Sequence, residues 1–227
     1  MKWRILQKRR SGLAHDLLQK LENPSPKAAK LTELLELGEQ IINQTHQVNA
    51  GETTLPNRVV SLCDPDARPI RRGKLHKKNE FGYKLRVTEN KERIITEYRL
   101  FKGNPSDKVL LKGSLTNHSK NTGKPPKQVV TDRGFWALEN ELALKEMGVN
   151  QVSLPFRGKL SVSRTQHERQ PWFRRLQRWR AGQEGTISVL KRRYGLGRSL
   201  YRGQNGSQCW VGGAIWGYNL NRIAQLI

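Results

Sequence analysis

Apolar residues recur along this chain in two different periods, and the change from one to the other divides it. Leu13, Leu17, Leu18 and Leu21 stand at helical spacing over residues 13–22, and Asn23-Pro24-Ser25-Pro26 interrupts the run. A second helix is predicted from about Lys27 to Val48, with Leu31, Leu34, Leu35, Ile41 and Ile42 on one stripe. Two amphipathic helices joined by a proline-rich turn predict a helical hairpin, whose ordinary role is packing. A linker follows. From Arg58 the texture becomes that of strands and turns. Arg58 to Cys63 is a short apolar run that reads as a strand, stopped by Asp64-Pro65-Asp66, which is strong turn chemistry. After a basic loop over Arg71–Lys78, Gly82–Val87 and Arg93–Phe101 alternate with period two on either side of a turn at Glu89–Glu92. That pattern predicts a β-hairpin.

Helices are then predicted from Ser106 to His118, over 137–147, and as one long arginine-rich element from Trp172 to Tyr194. A last helix holds Trp210, Ile215, Leu220 and Ile223. Short strands are predicted at Gln128–Thr131 and Gln151–Leu154. The order predicts an α/β fold, a mixed sheet flanked by helices with an N-terminal helical hairpin in front of it. Residues 1–56 would be the hairpin and linker, and 57–227 the main domain.

Charge changes the picture from fold to partner. The formal net charge is +23, of which residues 1–56 carry +2 and residues 57–227 carry +21. A folded unit that basic repels itself unless a polyanion neutralises it. Nucleic acid is the usual polyanion, because Lys and Arg contacts release condensed counterions. A membrane surface would favour one basic amphipathic helix, whereas this charge is spread over the whole main domain. Cys63 and Cys209 lie far apart with no C-x-x-C pair, which suits a reducing cytoplasm. Met1-Lys2-Trp3-Arg4 lacks the apolar core of a signal peptide, and Cys209–Leu220 is too short and too glycine-rich to span a bilayer. A cytoplasmic, nucleoid-associated protein is expected.

Two carboxylates draw attention. Asp132 ends an apolar strand, where α/β sheets open their binding crevices; its alternative role is to cap the turn that follows. Glu184 is the only acid between Arg169 and Ile227. On one continuous helix Arg180, Glu184 and Lys191 would fall within about 40° of arc. Glu184 is then either an ordinary partner of Arg180 or a metal-ligand carboxylate flanked by phosphate-binding bases.

Thr131-Asp132-Arg133-Gly134-Phe135 resembles the second-Asp strand of insertion-sequence DDE transposases. Arg180, Glu184 and Lys191, with Arg192-Arg193-Tyr194-Gly195-Leu196 after them, resemble that family's Tyr-x2-Arg-x3-Glu-x6-Lys helix, with Gln177 standing where the family has Tyr. Asp64-Pro65-Asp66-Ala67-Arg68, Phe81-Gly82-Tyr83-Lys84 and Gly103-Asn104-Pro105-Ser106-Asp107 resemble the segments before the second Asp, so the likeness covers roughly 58–225. The resemblance implies a ribonuclease-H-like fold, here a partial one. It also implies metal-dependent DNA cleavage and strand transfer, with Asp132 and Glu184 as catalytic and metal-ligating acids for two Mg²⁺ or Mn²⁺ ions. The family's first Asp, on an earlier strand, has no counterpart. The chain thus reads as lacking the front of a longer transposase and as catalytically impaired. Asp64 or Asp66 would substitute only if Arg58–Cys63 supplied the missing strand.

Phosphate contacts are expected from Arg174, Arg175, Arg178, Arg180, Lys191, Arg192, Arg193, Arg198 and Arg202, and from the basic segment Phe156–Lys159. Trp172, Phe173, Trp179, Tyr194 and Tyr201 stand among them, as core residues or as platforms for exposed bases. The implied partners are the DNA of the element's terminal repeats and full-length transposase or a second copy of the chain, with no membrane. Two other functions fit the composition: a non-catalytic nucleic-acid-binding protein, and an unrelated basic RNA-binding or ribosome-associated protein.

Overall fold

The computed structural model describes Gly12, Leu13 and Asp16, residues 25–52, 54–71 and 79–227. The helix expected over 13–22 and the basic loop expected before Asn79 lie largely outside the described residues. The second expected helix is present as α1 (Pro26–Asn49). Ser25 caps it, its Oγ accepting from Ala28 N at 3.3 Å, and Pro26 follows where a missing N–H costs nothing.

Arg58–Cys63 is not a strand. The buried side chain of Gln44 on α1 takes both backbone groups of Val59, accepting from its N–H at 2.8 Å and donating to its C=O at 3.1 Å. A side-chain amide thus replaces the ladder that a neighbouring strand would have supplied. Asp64-Pro65-Asp66 forms the expected turn, closed by Ala67 N donating to Asp64 O. The first strand is β1 (Arg68–Arg71), followed by β2 (Asn79–Glu89) and β3 (Ile95–Lys102). The hairpin is as its alternation predicts. Asn90 holds the turn through its Oδ1, which accepts from Glu92 N and Ile94 N. Arg93 sits there in the left-handed region at φ 65°.

Beyond the hairpin come α2 (Asp107–Thr122), β4 (Gln128–Val130), a single 3₁₀ turn at Arg133–Phe135, α3 (Leu138–Glu146) and β5 (Gln151–Ser153). Three further helices follow: α4 (Val162–Arg169), α5 (Pro171–Ala181) and α6 (Gln183–Arg193), before the final α7 (Gly203–Ala224). The chain is α/β, with antiparallel and parallel strands, as expected. The single mixed sheet is corrected to two: β1-β2-β3 is antiparallel, and β4-β5 is a separate parallel pair. β1 pairs with β2 over 79–82, β3 pairs with β2 from Tyr83 to Glu89, and no strand of the parallel pair bonds to any of the three.

Each sheet has its own core. Ile95 and Leu100 of the hairpin pack with Leu190 of α6 and with Val211, Ile215 and Tyr218 of α7. Leu111 and Leu115 of α2 pack with Leu144, Val149, Val152 and Leu154 around the parallel pair. Helix α4 escaped the sequence pattern because Val162–Arg169 has no apolar stripe. What holds it is polar. Arg164 grips Glu141 of α3 with Nη1, at 3.1 and 2.9 Å, and also bonds Glu168 and Leu154 O.

Candidate functional site

Asp132 leaves the end of β4 and immediately caps the 3₁₀ turn, its Oδ1 accepting from Gly134 N at 2.8 Å. The capping role is therefore real. It also leaves the exposed carboxylate at the carboxyl end of a parallel pair, facing an open cleft of about 620 Å³. Arg133, Gly134, Gln177 and Arg180 line the cleft beside it, with Asp107 and Arg174 on the walls.

Helix α5 supplies the basic wall, and Gln177 ties it to the strand ends. The Gln177 amide donates to Ser153 Oγ at 2.9 Å, Ser153 O at 3.1 Å and Thr131 O at 3.2 Å. It therefore ties α5 to the carboxyl ends of both parallel strands, one residue before Asp132. The residue that departs from the family's Tyr carries this tether. Arg180, three residues on, reaches the same cleft, and its buried Nε has no partner.

Glu184 lies elsewhere. The long helix expected over Trp172–Tyr194 is broken at Gly182 into α5 and α6, and Glu184, exposed in the first turn of α6, does not line the cleft. Arg180 and Glu184 form no ion pair; Glu184 has no hydrogen-bonding or ionic partner among the described residues. At the break stands Arg93 from the hairpin turn. Its guanidinium ion-pairs with the buried Glu89, stacks over Trp179 at 4.2 Å and donates to Trp179 O, a carbonyl near the helix end. A Cβ at Gly182 would overlap that guanidinium. Gly182→Ala is accordingly expected to destabilise the protein by about 1–3 kcal/mol, because displacing Arg93 strands the Glu89 carboxylate. Ala is otherwise the better helix former by up to about 1 kcal/mol. A urea melt showing Gly182→Ala as stable as the parent or more so would remove the clamp from this account.

Asp64 and Asp66 are occupied away from the cleft. Asp64 accepts from Tyr83 Oη at 2.7 Å, and burial together with this bond pushes the Tyr83 phenol far above its ordinary range. Asp66 pairs with Lys102 at 2.6 Å and stands near Gln204 N at the start of α7; the Lys102 ammonium holds its carboxyl below the usual value. The acid that does approach Asp132 is Asp107, in the first turn of α2 and paired with Lys84 at 2.8 Å. A Cβ at Gly134 would stand 3.0 Å from Asp107 Oδ2 and 3.0 Å from Asp132 Oδ1. The two carboxylates thus meet across this glycine, no farther apart than twice that length. Asp107 was legible only as part of a motif segment; nothing in its spacing pointed to Asp132.

Mg²⁺ and Mn²⁺ need several oxygen donors converging on one point. Among the described residues no group of three or more Asp, Glu, His or Cys is arranged to do this. Asp132 already holds Gly134 N, Asp107 already holds Lys84, and Glu184 lies off the cleft. This donor set does not fit a two-ion site.

The expected phosphate-binding residues are well disposed for contact. Arg174, Arg175, Arg178, Lys191, Arg192, Arg193, Arg198 and Arg202 are exposed and Arg180 is half-buried. None of the nine is ion-paired among the described residues. Of the aromatics, Phe173 is core, Trp172 packs on Phe173, Trp179 lies under Arg93, and Tyr194 packs on Tyr218. Of these five, Tyr201 is the one largely exposed, at 56%. No helix among the described residues is long and apolar enough to cross a membrane.

Compared with known proteins, residues 58–220 match the family model described as the transposase DDE domain. No curated protein and no solved structure matches the chain.

Proposed function

This chain belongs to the DDE transposases of insertion sequences, and from that premise we propose that it grips the terminal-repeat DNA of its element along α5, α6 and the Arg198–Arg202 loop while cleaving it weakly or not at all. The observation that carries the proposal is the cleft in which Asp132 faces Arg174 and Arg180. Backbone phosphates would lie against the arginines and bring a scissile bond to the carboxylate. The family in general works with divalent metal, which when bound activates the attacking oxygen and stabilises the leaving one. By resemblance the acids that would hold it are Asp132 and Glu184, and because they do not converge on one cleft here, no cleavage step is assigned to them. Residues of the chain itself bind and orient: Arg174 and Arg180 hold phosphate, Gln177 holds α5 against the strand ends, and Gly134 N–H holds the Asp132 carboxylate. The incomplete donor set supports impairment, because misplacing a reacting group by about 1 Å can cost on the order of 100-fold in rate. It also favours a role as a DNA-holding protein, acting on the element's ends beside a full-length transposase. The ribonuclease-H-like topology and a nucleoid location are part of the proposal.

A nicking assay on terminal-repeat DNA with Mg²⁺ or Mn²⁺ tests it, comparing the chain with Asp132→Ala, Glu184→Ala and Asp64→Ala/Asp66→Ala. Cleavage at background with DNA binding intact is expected for all four. Robust cleavage by the parent, lost in Asp132→Ala and Glu184→Ala, would overturn the impairment. Loss in the Asp64/Asp66 variant as well, with its fold intact by circular dichroism, would identify the third ligand there.

A further inference from the structure

Helix α7 is apolar on two faces. One face carries Val211, Ile215 and Tyr218 into the core against β3 and α6. The other carries Cys209, Gly213, Trp216, Leu220 and Ile223, spaced alternately by four and three residues and confined to about 80° of arc. That second stripe faces solvent: Trp216 is 69% exposed, Leu220 48% and Ile223 41%. A largely exposed tryptophan within a continuous apolar stripe is the kind of surface that marks an interaction site.

The charge of the molecule decides what fits there. Over its 22 residues α7 carries one charged side chain, Arg222, and that guanidinium is turned to the hairpin, where it donates to Glu92 O. The stripe itself is uncharged in a chain of net +23. DNA or an acidic partner gains nothing from it and would be drawn to the arginine faces instead. A second copy of this basic chain is repelled by those same faces and can approach closely only where charge is missing. Four-three spacing is the seam of paired helices, and one such stripe is complementary to itself about a twofold axis. The stripe also alternates bulk with space. Nothing lies within 4 Å of where a Cβ at Gly213 would stand, leaving a gap that a partner's Trp216 or Leu220 can enter.

We propose that the solvent-facing stripe of α7, centred on Trp216 and Leu220, is the surface through which two copies of this chain associate. The proposal stands apart from the DNA reading and deepens the expected self-association by naming its surface. Sedimentation equilibrium of the full chain tests it, without DNA, with a reductant to keep Cys209 free, and at high salt to screen self-repulsion. A concentration-dependent dimer in the micromolar range is expected. Trp216→Lys and Leu220→Lys should each raise its dissociation constant by at least about 30-fold, the effect of removing an interface hot spot. Leu31→Lys and Leu34→Lys, at exposed leucines of α1, should leave it unchanged. Circular dichroism and melting temperature check that all four variants fold, which the exposure of these side chains favours. A parent that stays monomeric overturns the proposal. So does a dimer indifferent to Trp216→Lys and Leu220→Lys, or one broken by the α1 variants. DNA affinity, measured separately, bears only on the DNA reading.

Discussion

Raising monovalent salt from about 50 to about 200 mM is expected to lower the affinity of this chain for duplex DNA by about 1000-fold or more, with little dependence on sequence. Each phosphate neutralised by Lys or Arg releases condensed counterions, so the logarithm of affinity falls in proportion to the number of contacts. Nine candidate cations stand on α5, α6 and the loop after them, eight of them exposed and none paired with a carboxylate among the described residues. Because no internal ion pair must be broken first, nearly all of that charge is available to phosphate. If six or more make contact, the slope follows. Arg174→Ala/Arg178→Ala should flatten it by about two contacts' worth, uniformly across sequences. Fluorescence anisotropy over a salt series gives the measurement. An affinity that does not change with salt would end the reading of this surface as a phosphate-binding one.

Glu97→Ala is expected to cost about 3–5 kcal/mol of stability, the largest effect of a single substitution anticipated in this fold. Glu97 on β3 and Arg86 on β2 form a buried pair, their side chains 9% and 6% exposed. Glu97 Oε1 also accepts from Asn117 at 2.8 Å, and Oε2 from Ser114 at 2.6 Å and Thr88 at 3.3 Å. Arg86 in turn donates to Leu110 O, while its Nε has no partner. The network therefore joins the hairpin to α2, the helix that brings Asp107 to the cleft. Removing the carboxylate leaves a guanidinium buried without counter-charge, takes the acceptor from Asn117, and leaves the Thr88 and Ser114 hydroxyls only each other. Replacing both members, as Arg86→Met/Glu97→Leu, should cost much less, since no charge is then left buried. Urea unfolding of the three proteins decides it. A loss below about 1 kcal/mol for Glu97→Ala would mean that water or a rearranged partner reaches Arg86.

By itself the sequence determined the elements and the chemistry of the surface. Period-two alternation found the hairpin, helical spacing found α1, α2, α3 and α7, and Asp64-Pro65-Asp66 was a turn. These are local properties, set by which side of a strand or helix each apolar residue occupies. The excess of arginine and lysine needed no fold to imply a polyanion, and the ordered motifs around Asp132 and Glu184 carried the family. The rest depends on contacts between residues distant in sequence. Arg93, far from Gly182 along the chain, stands where the expected long helix is interrupted, and Glu184 is left out of the cleft that Arg180 lines. Gln44 satisfies the backbone of Val59 in a segment, Arg58–Cys63, that is not a strand. Gln177, legible only as a departure from Tyr, proves to tether α5 to the strand ends, and Asp107 comes to Asp132 across a glycine. Each is a polar contact between separate elements, specific to one pair of atoms, and periodicity records burial along one element without recording which polar partner waits on another.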